Sequence, residues 1–66
     1  MLNEAVITYM HQNTTWQNPA NAELICQPIG GNINDVYNSL TFLSQKGLIM
    51  KHGFGISIED RLFYSI

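Results

Sequence analysis

One side of a helix predicted in the middle of this 66-residue chain carries four uncharged polar residues, spaced as about 100° per residue requires: Asn34, Asn38, Thr41 and Gln45. Asparagine and glutamine can each form two hydrogen bonds with an adenine in the major groove of DNA, and threonine can contact a thymine methyl group. This face therefore has the chemistry to read base edges. An ordinary solvated helix face has the same composition and is the alternative.

Two further residues of the same helix bear on this chemistry. Tyr37 flanks the polar face, where its hydroxyl could reach a phosphate, although its ring could instead pack against the preceding helix. Asp35 would repel phosphate, so we expect its carboxylate to serve the positive N-terminal end of the helix.

All the basic residues of the chain follow the polar positions of this helix, at Lys46, Lys51 and Arg61. Cationic side chains there are suited to contact phosphate, and His52 adjoins Lys51. An arginine in a loop can also enter a narrow minor groove, where the negative potential is enhanced. For the adjacent Asp60 and Arg61, the alternative is a surface ion pair worth under about 1 kcal/mol.

A turn, a helix and a stop signal follow one another around the polar face. The Gly30-Gly31 pair permits backbone angles that other residues avoid, and Asn32 can cap a helix. Apolar residues then recur at helical spacing and should face the core: Ile33, Val36, Leu40 and Leu43. Because Gly47 suits the position just past a helix end, we predict a helix from about Ile33 to Lys46.

This segment resembles the second half of a winged helix-turn-helix domain. The residues that match the pattern of that family are Val36-Tyr37, Leu40, Leu43 and Gly47-Leu48-Ile49. The resemblance implies that the helix is a recognition helix and that the chain then enters a β-hairpin called the wing. It further implies a small transcriptional regulator of the prokaryotic, phage or plasmid type. The same fold also serves as a protein-binding module.

Two helices are predicted before the recognition helix. The first should run from about Asn3 to His11. The second should run from about Pro19 to Gln27, with Asn18 as its cap, Pro28 as its stop and four packing residues: Ala20, Ala22, Leu24 and Ile25. Trp16 lies between the helices, and we expect it to return to the core or to pair with the wing as a short strand.

The end of the chain predicts two strands, over residues 48–52 and 62–66, which are rich in apolar, aromatic and β-branched residues. We therefore predict a single domain over residues 1–66 that is mainly α with a small β-hairpin. Its order would be helix, an optional short strand, helix, helix, strand, wing and strand. This is the order of a three-helix winged helix-turn-helix.

The apolar side chains that alternate in the predicted wing, Phe54, Ile56 and Ile58, indicate burial in the core or against another chain. A domain of this length buries only about 60% of its unfolded surface, and three cations release few counterions. We therefore expect a homodimer bound to duplex DNA. The alternative partner is a protein, bound through the uncharged helix face or the strand at Phe54–Ile58.

Composition narrows the remaining classes of function. The net charge of −2 opposes nucleic-acid binding as a bulk effect, although residues after 45 carry a net charge of +1, from three basic and two acidic groups. No apolar run approaches the roughly 20 residues that span a bilayer, and no signal-peptide pattern is present. We therefore expect a cytoplasmic protein with no membrane partner.

Patterns for catalysis or metal binding are missing from the sequence. His11 and His52 are far apart, without a cysteine or carboxylate at a metal-ligand spacing, and no phosphate loop or nucleophile motif occurs. The lone Cys26 excludes an internal disulfide and predicts a small buried apolar group, with a reactive thiol or an intermolecular bridge as alternatives. We expect no enzyme, no metal and no cofactor.

Overall fold

A computed structural model describes residues 2–52 and 62–66 of the chain. Within those residues, three helices and three short strands follow one another: α1 (Leu2–Asn13), β1 (Ala20–Asn21), α2 (Ala22–Ile29), α3 (Ile33–Gln45), β2 (Met50–His52) and β3 (Phe63–Ser65). The prediction of a mainly helical protein with a small antiparallel sheet is confirmed. The predicted strands after α3 are also found, although each is shorter than expected.

The strands form an antiparallel sheet in the order β1-β3-β2, so the last strand of the chain is the central one. Tyr64 pairs with Ala20 on one side and with Lys51 on the other. Its buried side chain belongs to the core. The sheet therefore ties the start of α2 and the chain that leaves α3 to a common strand.

The start of α2 differs from the prediction. Asn18 and Pro19 precede the helix, and Asn21 caps it instead, because its Oδ1 accepts a hydrogen bond of 2.9 Å from the backbone N–H of Leu24. The residues between, Ala20 and Asn21, pair with β3. The local asparagine-proline signal was misleading because pairing with a distant strand holds this segment extended.

The end and the packing side of α2 also differ. Pro28 lies within the helix, which continues to Ile29 and ends at Gly30, where φ is 85°. A proline in the last turn removes one backbone donor without ending the helix. Ala20, Ala22 and Ile25 are buried as predicted, but Leu24 is 47% exposed. Leu24 lies roughly 200° around the helix from Ala22, so both cannot face the core.

The region of Trp16 is neither core nor strand. Backbone hydrogen bonds of 3.3 and 3.0 Å between Thr15 and Asn18 close a turn that presents Trp16 to solvent, 57% exposed. Its ring does reach the sheet, since its centroid lies 4.4 Å from that of His52 in β2. Trp16 therefore neither returns to the core nor pairs as a strand, so both predicted placements are wrong, and its contact with β2 is made by the side chain alone.

The core lies between the three helices and the sheet. It consists of Val6, Met10, Ala20, Ala22, Ile25, Val36, Leu40, Leu43, Ile49, Leu62 and Tyr64. The predicted stripe of α3 is confirmed at three positions, but Ile33 is 38% exposed. Every residue from 30 to 35 is exposed, so the turn before α3 and the first turn of the helix lie at the surface. Ile33 is exposed because it belongs to this segment.

Buried polar side chains find partners in the part of the chain that is described. The Thr14 hydroxyl donates to the carbonyl of Met10 at 2.8 Å, and the Ser39 hydroxyl donates to Oδ1 of Asn3. The second contact joins α3 to α1 beside the apolar stripe. Over the same residues, no helix combines the length and the apolar character that crossing a membrane requires.

Leu40→Ala should lower the free energy of unfolding by roughly 2–5 kcal/mol, because it opens a cavity at a fully buried position. Asn38→Ala, an exposed change on the same helix, should stay within about 0.5 kcal/mol of the wild type. Urea titration of all three proteins makes the comparison. Equal stabilities for Leu40→Ala and the wild type would show that α3 does not hold the core.

Candidate nucleic-acid interface

The turn before α3 fixes where the helix begins. Three residues, 30 to 32, separate α2 from α3, and Gly30 and Gly31 have φ values of 85° and 90°. The N–H of Gly30 donates to the carbonyl of Cys26 at 2.7 Å, and the thiol of Cys26 lies 3.5 Å from the carbonyl oxygen of Gly31. Short, glycine-containing turns of this kind join the two helices of helix-turn-helix motifs.

The first turn of α3 is capped as predicted. Oδ1 of Asn32 accepts a hydrogen bond of 2.7 Å from the N–H of Asn34, and the Asn32 carbonyl accepts one of 3.1 Å from Val36. Asp35 is exposed in this turn, where a carboxylate favours the positive end of the helix. The cap holds Asn34 and Asp35 in helical geometry within the exposed segment of residues 30–35.

The end of α3 is closed by a Schellman motif. Gly47 has a φ of 76°, its N–H donates to the carbonyl of Ser44 at 3.1 Å, and the N–H of Leu48 donates to that of Leu43 at 3.0 Å. The next residue, Ile49, is buried in the core. Both ends of α3 are thus fixed, and so is the direction in which the chain leaves the helix toward β2.

The predicted polar face lies opposite the buried stripe. Asn34, Asn38 and Gln45 are exposed and Thr41 is half-buried, while Val36, Leu40 and Leu43 point into the core. Tyr37, at the edge of the face, is half-buried and packs against the core. The helix therefore offers amide groups to solvent along most of its length, at fixed positions on a packed support.

Phe42 was not among the residues predicted for this surface. Phe42 is 45% exposed, and the Lys46 Nζ lies 5.5 Å from the centroid of its ring, a cation–π contact. Phe42 follows Asn38 by one helical turn and so lies on the same side of α3. Its place in the helical pattern could have revealed this, since it falls away from the Val36–Leu43 stripe.

Charges are segregated along the described residues. Each helix carries one acid in its first turn, Glu4, Glu23 and Asp35, where the helix dipole favours negative charge. Lys46 at the end of α3 and Lys51 in β2 are both exposed. The other predicted site residues, Arg61, Phe54, Ile56 and Ile58, lie outside the described residues.

His52 makes two contacts that the sequence did not predict, one within the sheet and one with the loop before β1. Nε2 of His52 and the hydroxyl of the buried Ser65 share a hydrogen bond of 2.6 Å, and the imidazole lies against Trp16. His52 and Ser65 are diagonal neighbours on adjacent strands, since Met50 pairs with Ser65. The pair connects the strand that leaves α3 to the central strand.

Within residues 2–52 and 62–66, no group of three or more His, Cys, Asp or Glu side chains could hold a metal ion. Cys26 is half-buried against the core beside the α2–α3 turn. Its thiol supports the turn through weak contacts with the glycine carbonyls, which gives it a structural role.

No family model matches this chain, and neither a curated protein nor a solved structure was found to resemble it.

Asn32→Ala should lower the free energy of unfolding by about 1 kcal/mol, because the Asn34 N–H loses its acceptor. Asn32→Ser is the matched control, since serine caps about as well as asparagine and should restore most of the loss. Thermal melts followed by circular dichroism measure both. If the two variants melted together below the wild type, the cap would not be the cause.

Proposed function

We propose that this chain is a small winged helix-turn-helix transcriptional regulator that binds duplex DNA in a sequence-specific way. In this proposal α3 enters the major groove, and the wing, between β2 and β3, contacts the backbone or the minor groove. The protein is a binding protein without catalytic activity. It acts in the cytoplasm, where the DNA of a prokaryotic cell lies.

Three features of the architecture support the fold assignment. The order of elements, α1-β1-α2-α3-β2-β3, is the one that the family resemblance implies. A three-residue turn with two glycines joins α2 to α3. The three-stranded sheet joins the strand before α2 to the two strands that would flank a wing.

The exposure of the α3 N-terminus is the observation that carries the function. Residues 30–35 are exposed without a break, and they lead into the amide-bearing face of Asn34, Asn38 and Gln45. Recognition helices of this class contact base edges chiefly with their N-terminal residues. A helix buried on one side, capped at both ends and exposed at its start is suited to enter a groove about 12 Å wide.

A homodimer forms part of the proposal because a single copy carries little positive charge. Lys46 and Lys51 are the cations of the described residues, and the sequence adds only Arg61. Affinity for DNA rises with the number of phosphates neutralised, so two copies double this contribution. A two-fold dimer would also present two recognition helices to half-sites about one turn of DNA apart.

A winged-helix module that binds a protein is the second candidate. Six large apolar side chains of the described residues are substantially exposed: Trp16, Leu24, Ile33, Phe42, Leu48 and Met50. The net charge of −2 also favours a protein partner over a polyanion. Such a protein would leave duplex DNA unbound even at low salt, which separates the two candidates.

Asn38→Ala and Lys51→Ala should affect DNA binding differently. Asn38→Ala should cost about 1–3 kcal/mol on a duplex selected from a random pool and leave binding to unselected duplex unchanged, because only a base contact is lost. Lys51→Ala should weaken binding to both duplexes and reduce the dependence of log K on log salt by about 0.9 per copy.

Fluorescence anisotropy over a salt series measures both effects. Lys51→Arg keeps the charge and serves as the control for the phosphate contact. If neither Asn38→Ala nor Lys51→Ala changed binding to the selected duplex, the DNA-contacting surface would lie elsewhere.

Self-association should be visible without DNA. At micromolar concentration we expect a dimer in analytical ultracentrifugation, because the exposed apolar groups supply area for a self-complementary patch and the net charge of −2 gives little repulsion. A single monomeric species across that range would remove the dimer from the proposal. A monomer that also failed to bind DNA would favour the protein-binding module.

A further inference from the structure

The side of α3 that lies opposite its buried stripe carries side chains of only a few chemical types. Its 13 residues contain no lysine, arginine or glutamate. The side chains that are exposed or half-buried opposite the Val36–Leu43 stripe are Asn34, Asn38, Thr41, Phe42 and Gln45. These are three amides, one hydroxyl with a methyl group and one aromatic ring.

Each of these types can recognise a member of the A·T pair. Asparagine and glutamine pair with N6 and N7 of adenine, and the threonine methyl and the phenylalanine ring contact the C5 methyl of thymine. Arginine and lysine, which form the commonest contacts to guanine, are missing from the helix itself. The helix therefore displays side chains for both members of an A·T pair.

Two charged residues next to this face do not change its preference for A·T pairs. Lys46 lies at the C-terminal cap of α3, and its ammonium group lies over the Phe42 ring. Asp35 lies in the first turn, where its carboxylate can accept a hydrogen bond from the N6 amine of adenine as well as from cytosine N4. Neither residue requires a G·C pair.

We propose that α3 reads an A·T-rich sequence through the major groove and that Phe42 is a specificity residue that contacts a thymine methyl group. The inference rests on the proposed function, since it names the sequence class that the same helix would recognise. Phe42 is 45% exposed and follows Asn38 by one helical turn, so its ring lies on the amide-bearing side of α3, where an apolar edge can meet a thymine methyl group.

Selection of bound duplexes from a pool randomised over about 20 base pairs, two turns of DNA, gives the first test. The full chain should enrich sites whose contacted positions are mostly A·T. Enrichment of G·C at those positions would overturn the inference and leave the proposed function standing. Binding with no sequence preference would overturn the inference and the sequence-specific part of the proposed function. If no duplex bound, both would fail together.

Modified bases in the selected duplex identify the groove and the contact. Replacing thymine by deoxyuridine removes only the C5 methyl, and affinity should fall by about fourfold for each buried methyl lost. Replacing A·T by inosine·cytosine gives the major-groove pattern of G·C without the minor-groove amine, so affinity should fall by about tenfold or more if α3 reads the major groove. Unchanged affinity for the inosine duplex would overturn the major-groove assignment.

Phe42→Ala isolates the role of the ring. This variant should bind the thymine duplex about fourfold more weakly than the wild type and should lose the preference for thymine over deoxyuridine at the position that the ring contacts. Leu48→Ala is the matched control, because it removes another exposed apolar side chain just past α3 and should keep the full thymine preference. A Phe42→Ala protein that kept the wild-type difference between the two duplexes would overturn the assignment of Phe42.

Discussion

Burial of Val36, Leu40 and Leu43 is the constraint on which the rest of the molecule depends. These side chains place one side of α3 in the core, and α3 contacts both α1 and α2. The opposite side of the same helix must then face solvent, because three buried positions define its rotation about the axis. Caps at Asn32 and Gly47 set where the helix starts and stops. The surface offered to a partner thus follows from the packing behind it.

Local signals were sufficient to predict α3. Its apolar stripe, its asparagine cap and its glycine end all depend on residues close in sequence, and each was recovered within a residue of the observed position. The polar face followed by geometry alone. Phe42 was not part of the predicted surface, which was made of polar residues, although its angle around the helix places it outward. Position in the helical pattern is the better guide here.

Most of the structure that could not be predicted from the sequence depends on pairing between distant segments. The Asn18-Pro19 signal is a good local helix start, yet β3 pairs with Ala20 and Asn21 from the other end of the chain and delays the helix. The tilted contact between the Trp16 and His52 rings joins positions far apart in sequence, and so does the hydrogen bond between His52 and Ser65. The spacing of apolar residues along the sequence does not predict contacts of this kind, because each depends on how the strands are brought together.

The binding of duplex DNA by the α3 face is the central claim, and NMR spectroscopy of the full chain during a DNA titration tests it most directly. At low salt, where phosphate contacts are strongest, the side-chain amide signals of Asn34, Asn38 and Gln45 should shift together with the backbone signals of residues 30–35. The backbone signals of α1 should move much less, since its contact with α3 places it behind the core. Shifts centred on α1, or none at all on α3, would contradict this account.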